Sequence, residues 1–211
     1  MITEIIIYGL LLIGLFAVCD NKLSAKWYLP MKIICSAGFL VILIERECYS
    51  ESIHRLLLAL IACFVGDIFM ALFNSYHQKH YMAWGILVFM VGHVFLLINM
   101  CTYHQPTNPW IFILPIPICG LMYLLYKKIH LHMGRLFYPA FVYCYFVSAM
   151  ALKAISVGGI TMMAGALFFL SDFSILFLYF YHFHTKPLKK LCHYFNLATY
   201  YIAILLFIYS I

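Results

Sequence analysis

Two carboxylates stand where carboxylates are costly. Asp67 lies in Phe64-Val65-Gly66-Asp67-Ile68-Phe69 and Asp172 in Phe169-Leu170-Ser171-Asp172-Phe173, so the arrangement Phe-x-x-Asp recurs 105 residues on in a chain of 211. The other five acids, Glu4, Asp20, Glu45, Glu47 and Glu51, fall at a terminus or between apolar runs. An Asp at the centre of a membrane helix costs roughly 2.5 to 3.5 kcal/mol on insertion scales, so such residues usually face a polar interior and mark a functional pathway. The alternative is a buried ion pair, or a hydrogen-bonded acid that only fixes helix packing. An ion pair needs a cation at the same depth, and position along the chain puts none there. Lys153 lies near the outer end of its apolar run, from which its stem is expected to snorkel to the interface.

His93, in Gly85-x-x-x-Phe89-x-x-Gly92-His93, is the one histidine near the middle of an apolar run. It is expected on a span antiparallel to that of Asp67 and at similar depth, while Gly85 and Gly92 mark a face where another backbone approaches closely. A lone histidine in an apolar helix is more often a packing residue; the aspartates make a role for His93 an even choice. His77-x-x-His80, His130-x-His132 and His182-x-His184 come from separate loops beside Lys or Arg, which does not supply the three or four convergent ligands of a metal site. Neither a metal nor a cofactor is expected, and the histidine pairs read as interfacial groups in contact with lipid phosphate. None of the eight cysteines forms a C-x-x-C pair. G-x-S-x-G, P-loop and H-E-x-x-H patterns are missing as well. The chemistry left is acid–base work by carboxylates.

The elements that must position these groups are membrane helices. Two thirds of the chain is hydrophobic and 9% charged, far from the roughly 25% charged of soluble domains. The apolar runs are continuous rather than alternating, which excludes a barrel. The fold class expected is all-α: a polytopic transmembrane helical bundle of about eight spans, forming a single integral membrane domain over residues 1–211. The spans are expected near 4–19, 30–44, 56–73, 81–100, 110–126, 136–155, 160–182 and 194–211. The first reads as a retained helix rather than a signal peptide, since it lacks a basic leader and a small-residue cleavage site. Pro115 and Pro117 should kink or widen the fifth. The Phe-x-x-Asp echo, four spans apart and therefore parallel, leaves open a duplication into two parallel four-helix halves.

Ten of the thirteen Lys and Arg residues flank the odd-numbered loops. By the positive-inside rule these loops are cytoplasmic, both termini are non-cytoplasmic and the number of spans is even. The net charge of +6 is thereby explained by topology; no basic stripe or nucleic-acid motif is present, so no nucleic acid partner is expected. Trp27, Trp84 and Trp110, near span ends, fit interfacial belts.

Together these residues resemble the YhhN family of polytopic membrane proteins. The matching features are Gly66-Asp67, Gly85-x-x-x-Phe89-x-x-Gly92-His93, Tyr143 with Met150, Gly165-Ala166-x-Phe168-x-x-Ser171-Asp172, and Tyr200-Tyr201, in that order. Two positions depart from the pattern. The family's Lys-Pro near the start of span 2 is represented by Lys26-Trp27-Tyr28-Leu29-Pro30-Met31-Lys32, and Ile204 stands where a Gln commonly follows the last tyrosines.

The resemblance implies a lysoplasmalogenase: hydrolysis of the vinyl ether bond of a lysoplasmalogen to a fatty aldehyde and glycerophosphoethanolamine or glycerophosphocholine. The partners implied are a lysophospholipid substrate and the bilayer, in the inner membrane of a bacterium. Vinyl ether hydrolysis protonates the β-carbon, forms an oxocarbenium ion and adds water. It needs an acid that keeps its proton in a low-dielectric site and a negative charge beside the developing cation. Asp67 and Asp172 are the expected catalytic pair, the acid and the base not being distinguished. His93, Ser171, Tyr143, Tyr200, Lys26 and Lys32 are the expected supporting or substrate-binding residues. The competing class is a proton-coupled small-solute transporter, since midplane carboxylates and a histidine are also the parts of a proton relay.

Overall fold

The computed structural model describes residues 2–19, 25–46, 51–104, 106–183 and 185–210, less the side chains of 2–5, 25, 26 and 51–53. Among the described residues there is no strand. The helices are α1 (Ile2–Cys19), α2 (Ala25–Arg46), α3 (Glu51–Tyr76), α4 (Lys79–Tyr103), α5 (Trp110–Ile113), α6 (Pro115–Ile129), α7 (Phe137–Val157), α8 (Gly159–Phe180) and α9 (Lys186–Tyr209). Seven stretches, with α5 and α6 counted as one, are long and apolar enough to cross a bilayer, while α1 offers a shorter described apolar stretch, Ile6–Cys19. The chain is a multi-pass integral membrane protein.

Each expected span lies on a helix, and the misplaced ends have local causes. α2 starts at Ala25 because the helix runs through Pro30, which reads as a start only if proline is taken for a boundary; membrane helices tolerate it inside. α9 begins at Lys186, eight residues before the expected 194, since Lys186, Lys189 and Lys190 are helical despite their charge. Pro187 suits that first turn, where its missing N–H leaves no bond unmade. The fifth span divides at Leu114, between Ile113 and Pro115, where the proline ring disfavours a continuous helix. Gly158 and Gly159 turn the chain from α7 to α8 at φ +84° and +56°, values a side chain would resist.

The chain forms two compact units, residues 1–95 and 96–211. In the first, small residues let α1 to α4 approach. Gly38 of α2 receives the ring of buried Tyr8, a Cβ there lying 3.0 Å from the ring, and the Cys35 thiol donates to the Leu11 carbonyl at 3.4 Å. A Cβ on Gly66 would lie 2.8 Å from the ring of Phe89; one on Gly92 would lie 3.2 Å from the Ala59 carbonyl oxygen and the Cys63 sulfur. Gly85 and Gly92 therefore do mark the face of α4 that packs closely.

In the second unit α7 and α8 touch at Ala154 and Gly165, so closely that a Cβ on Gly165 would overlap that of Ala154. α8 and α9 join through the perpendicular rings of Phe168 and Tyr200, 5.4 Å apart. Tyr145 of α7 donates to the Phe112 carbonyl at 2.9 Å, holding α5. Lys153 does not snorkel outward: its side chain is 1% exposed, and its ammonium donates to the His104 carbonyl at 2.5 Å and the Thr107 hydroxyl at 3.3 Å. The stem does reach the end of α7, but the loop after α4 covers it. Trp27, Trp84 and Trp110 are all more than half exposed.

Replacing Gly165 with Ala should force α7 and α8 apart and lower stability in detergent by about 1 to 3 kcal/mol, as overpacking does. A denaturation midpoint equal to that of the native protein would contradict the close contact.

Candidate functional site

Asp67 sits in the middle of α3, 1% exposed. Two residues of α2 reach it. The Lys32 ammonium lies 3.1 Å from Oδ1, and the Ser36 hydroxyl donates to Oδ2 at 2.7 Å. Lys32 and Ser36 are four apart, so they share one helix face, and that face meets α3. This corrects the expectation that no cation lies at the depth of Asp67. Counted along the chain, Lys32 belongs to the flank of the first loop. Because α2 begins at Ala25, Lys32 instead stands two turns inside a helix, 7% exposed, with a stem long enough to carry its charge inward.

Tyr8 of α1 and Cys35 of α2 complete the surroundings. Both are buried, and both lie within electrostatic reach of Asp67. Further along the same seam Asn74 of α3 donates to the Tyr28 hydroxyl at 3.2 Å. The antiparallel register is thus marked twice, by Lys32 and Ser36 on Asp67 and by Tyr28 on Asn74.

His93 is fully buried on α4. Phe89 packs at Gly66, and Gly92 packs at Ala59 and Cys63, so His93 stands about one helical turn from the level of Asp67. Lys26 lies in the first turn of α2, but its side chain is outside the described residues.

Asp172 occupies the middle of α8 in the second unit, 9% exposed, within electrostatic reach of Cys144 on α7. Ser171, one residue before, faces α9 instead. Its hydroxyl donates to the Asn196 carbonyl at 3.2 Å, and the Asn196 amide returns bonds to the Ser171 carbonyl at 2.9 Å and hydroxyl at 3.0 Å. Successive helical residues point about 100° apart, so this clamp to α9 leaves Asp172 turned to another side. Ser174 donates to the Ser171 carbonyl at 2.6 Å, and Thr199 donates to the Phe195 carbonyl at 2.7 Å, so both hydroxyls are bonded within the protein. Tyr200 is buried against Phe168 of α8; Tyr143 is half-buried on α7.

Sequence reasoning therefore missed Ser36, Tyr8 and Asn196, and it missed what Lys32 does. A signal for two of them was present: Lys32 and Ser36 are the only strongly polar side chains from Met31 to Ile44 in an otherwise apolar stretch, four residues apart. Nothing in sequence spacing points to Tyr8 or Asn196, which act through contacts made only on folding.

Chemically, Asp67 is an acceptor at both oxygens. Asp172 has the Cys144 thiol of α7 within electrostatic reach.

The model of the YhhN family matches residues 8–211 of this chain, nearly its whole length. No curated protein and no solved structure matches it.

Removing the cation should separate structural from chemical roles. Lys32→Met strands a buried carboxylate and should cost about 3 to 5 kcal/mol of stability. Adding Asp67→Leu should recover most of that loss, measured as denaturation in detergent. Equal stability of native protein and Lys32→Met would refute the ion pair.

Proposed function

The chain belongs to the YhhN family, and from that premise we propose that it hydrolyses the vinyl ether bond of lysoplasmalogens, releasing a fatty aldehyde and the glycerophosphoethanolamine or glycerophosphocholine. The observation that carries the reading is Asp67, a buried carboxylate accepting at both oxygens from Lys32 and Ser36, with a second acid, Asp172, buried in the middle of α8. Acid–base catalysis works when two such groups are driven to different roles by their environments.

In this mechanism Asp172 gives its proton to the β-carbon, the π electrons forming the new C–H bond and leaving an oxocarbenium ion at the α-carbon. Asp67, paired with Lys32, supplies negative charge to that cation and takes a proton from the water that attacks it. The hemiacetal then collapses. Its hydroxyl proton returns to Asp172, the C–O bond breaks, and the proton held by Asp67 passes to the glycerol oxygen. One water is consumed and both carboxyls are restored. His93, Tyr143 and Tyr200 are supporting residues in this scheme, and Ser171 acts from behind Asp172 by holding α8 to α9. The lysines of α2 divide: Lys32 positions Asp67, and Lys26 is a candidate for substrate contact.

The test is direct. Purified protein in detergent is given a lysoplasmalogen and the matching acyl lysolipid, and aldehyde and fatty acid are measured. Aldehyde from the vinyl ether alone is expected. Asp67→Asn and Asp172→Asn should each lose roughly 100-fold or more in rate, the scale of a general acid or base, while still inserting. Full activity in either variant would sink the mechanism, and solute uptake by proteoliposomes without turnover would favour transport instead.

A further inference from the structure

One end of the second unit gathers cations without acids. Lys127, Lys128, His130, His132 and Arg135 follow one another after Tyr126, and from residue 96 to 211 the sole acid is Asp172. α6 ends there because His130 turns left-handed, at φ 53° and ψ 52°, after which the Leu131 N–H donates back to the Tyr126 carbonyl at 3.2 Å. A side chain in that conformation costs about 1 to 2 kcal/mol, and such conformations cluster at ligand clamps and active sites. The His132 N–H donates to the Phe180 carbonyl at 3.0 Å, which fastens the turn to the end of α8. The result is a hollow of about 330 Å³ lined by Tyr126, Lys127, His130, Leu131 and His132.

The ordinary account of lysines in a last helical turn is that they offset the helix dipole. That account covers Lys127 and Lys128 alike, and an interfacial position accounts for charge and histidines in general, but neither explains the hollow. Two histidines and a lysine fall short of a zinc site. Instead they offer several N–H donors and positive charge at one mouth, which is the chemistry of phosphate recognition. Lys127 holds its ammonium 4.7 Å from the centre of the Tyr123 ring, where its remaining face is open.

Distance also fits. Phe180, fastened to this turn, lies eight residues beyond Asp172 on α8, about 12 Å at the helical rise. On α7, Phe137 lies seven residues before Cys144, the neighbour of Asp172, about 10 Å by the same measure. In a lysoplasmalogen seven bonds separate phosphorus from the β-carbon of the vinyl ether, roughly 9 Å when extended. We propose that this hollow binds the phosphodiester of the lysophospholipid, which brings the vinyl ether to within about one helical turn of the level of Asp172. The proposal rests on the hydrolase reading for its substrate and adds the headgroup subsite.

Binding to an uncleavable lipid tests it independently of turnover. Native protein in detergent micelles is titrated with acyl lysophosphatidylethanolamine, with the monoacylglycerol of the same chain, and with inorganic phosphate. The phosphate-bearing lipid should bind at least about tenfold more tightly than the monoacylglycerol, as expected for charge-assisted hydrogen bonds to phosphate. Lys127→Ala with His132→Ala, both exposed side chains, should abolish that preference. Lys128→Ala removes the same charge from outside the hollow and should keep it. Preference that survives the double variant, equal loss in Lys128→Ala, or inorganic phosphate binding as tightly as the lysolipid overturns the proposal. A preserved preference without aldehyde release from lysoplasmalogen supports the phosphate site and refutes the hydrolase reading alone.

Discussion

The contact between Lys32 and Asp67 governs the first unit. A carboxylate and an ammonium buried in a medium of low dielectric each carry a desolvation cost of several kcal/mol, and a 3.1 Å contact with a serine hydroxyl on the second oxygen is what offsets it. That geometry fixes the register of α2 on α3, since a slip by one residue would rotate Lys32 and Ser36 off the acid. The register then sets Tyr28 beside Asn74 and turns Cys35 toward α1, where Gly38 accepts the Tyr8 ring. The helices can come this close only because the positions between them are small.

The second unit is held by hydrogen bonds to neutral groups. Its buried lysine, Lys153, relies on neutral acceptors at the end of α4 and the loop beyond it. Its seam between α8 and α9 is a chain of hydroxyls and amides from Ser171, Ser174, Asn196 and Thr199, each bonded within the protein. Asp172 stands next to that seam but not in it. Both acids lie mid-helix, and Asp67 accepts at both oxygens from α2.

Much of this was legible beforehand. Continuous apolar runs and the scarcity of charge identified helices and a membrane, because lipid leaves the backbone no other partners. Gly85 and Gly92 advertised the packing face of α4, and the split at Pro115 follows from the proline ring. The helix ends were less legible where a local signal competed with the membrane: Pro30 looked like a boundary and the lysines of 186–190 looked like a loop. Around Pro30 the buried Tyr28 and Lys32 hold the helix in place, whereas residues 186–190 are exposed and helical from Pro187, which suits a first turn.

By itself the sequence determined that the chain crosses the membrane repeatedly as helices, that Asp67 and Asp172 are the acids near the middle of apolar runs, and which family it resembles. These follow from composition and hydropathy, properties that add up along the chain. Only tertiary structure decided that Lys32 belongs to Asp67, that Ser171 belongs to Asn196, and that His130 and His132 border a hollow. Such pairings depend on helix rotation and on the reach of side chains 25 to 48 residues apart in sequence, and rotation is set by close packing against neighbours, which no count of residue types contains.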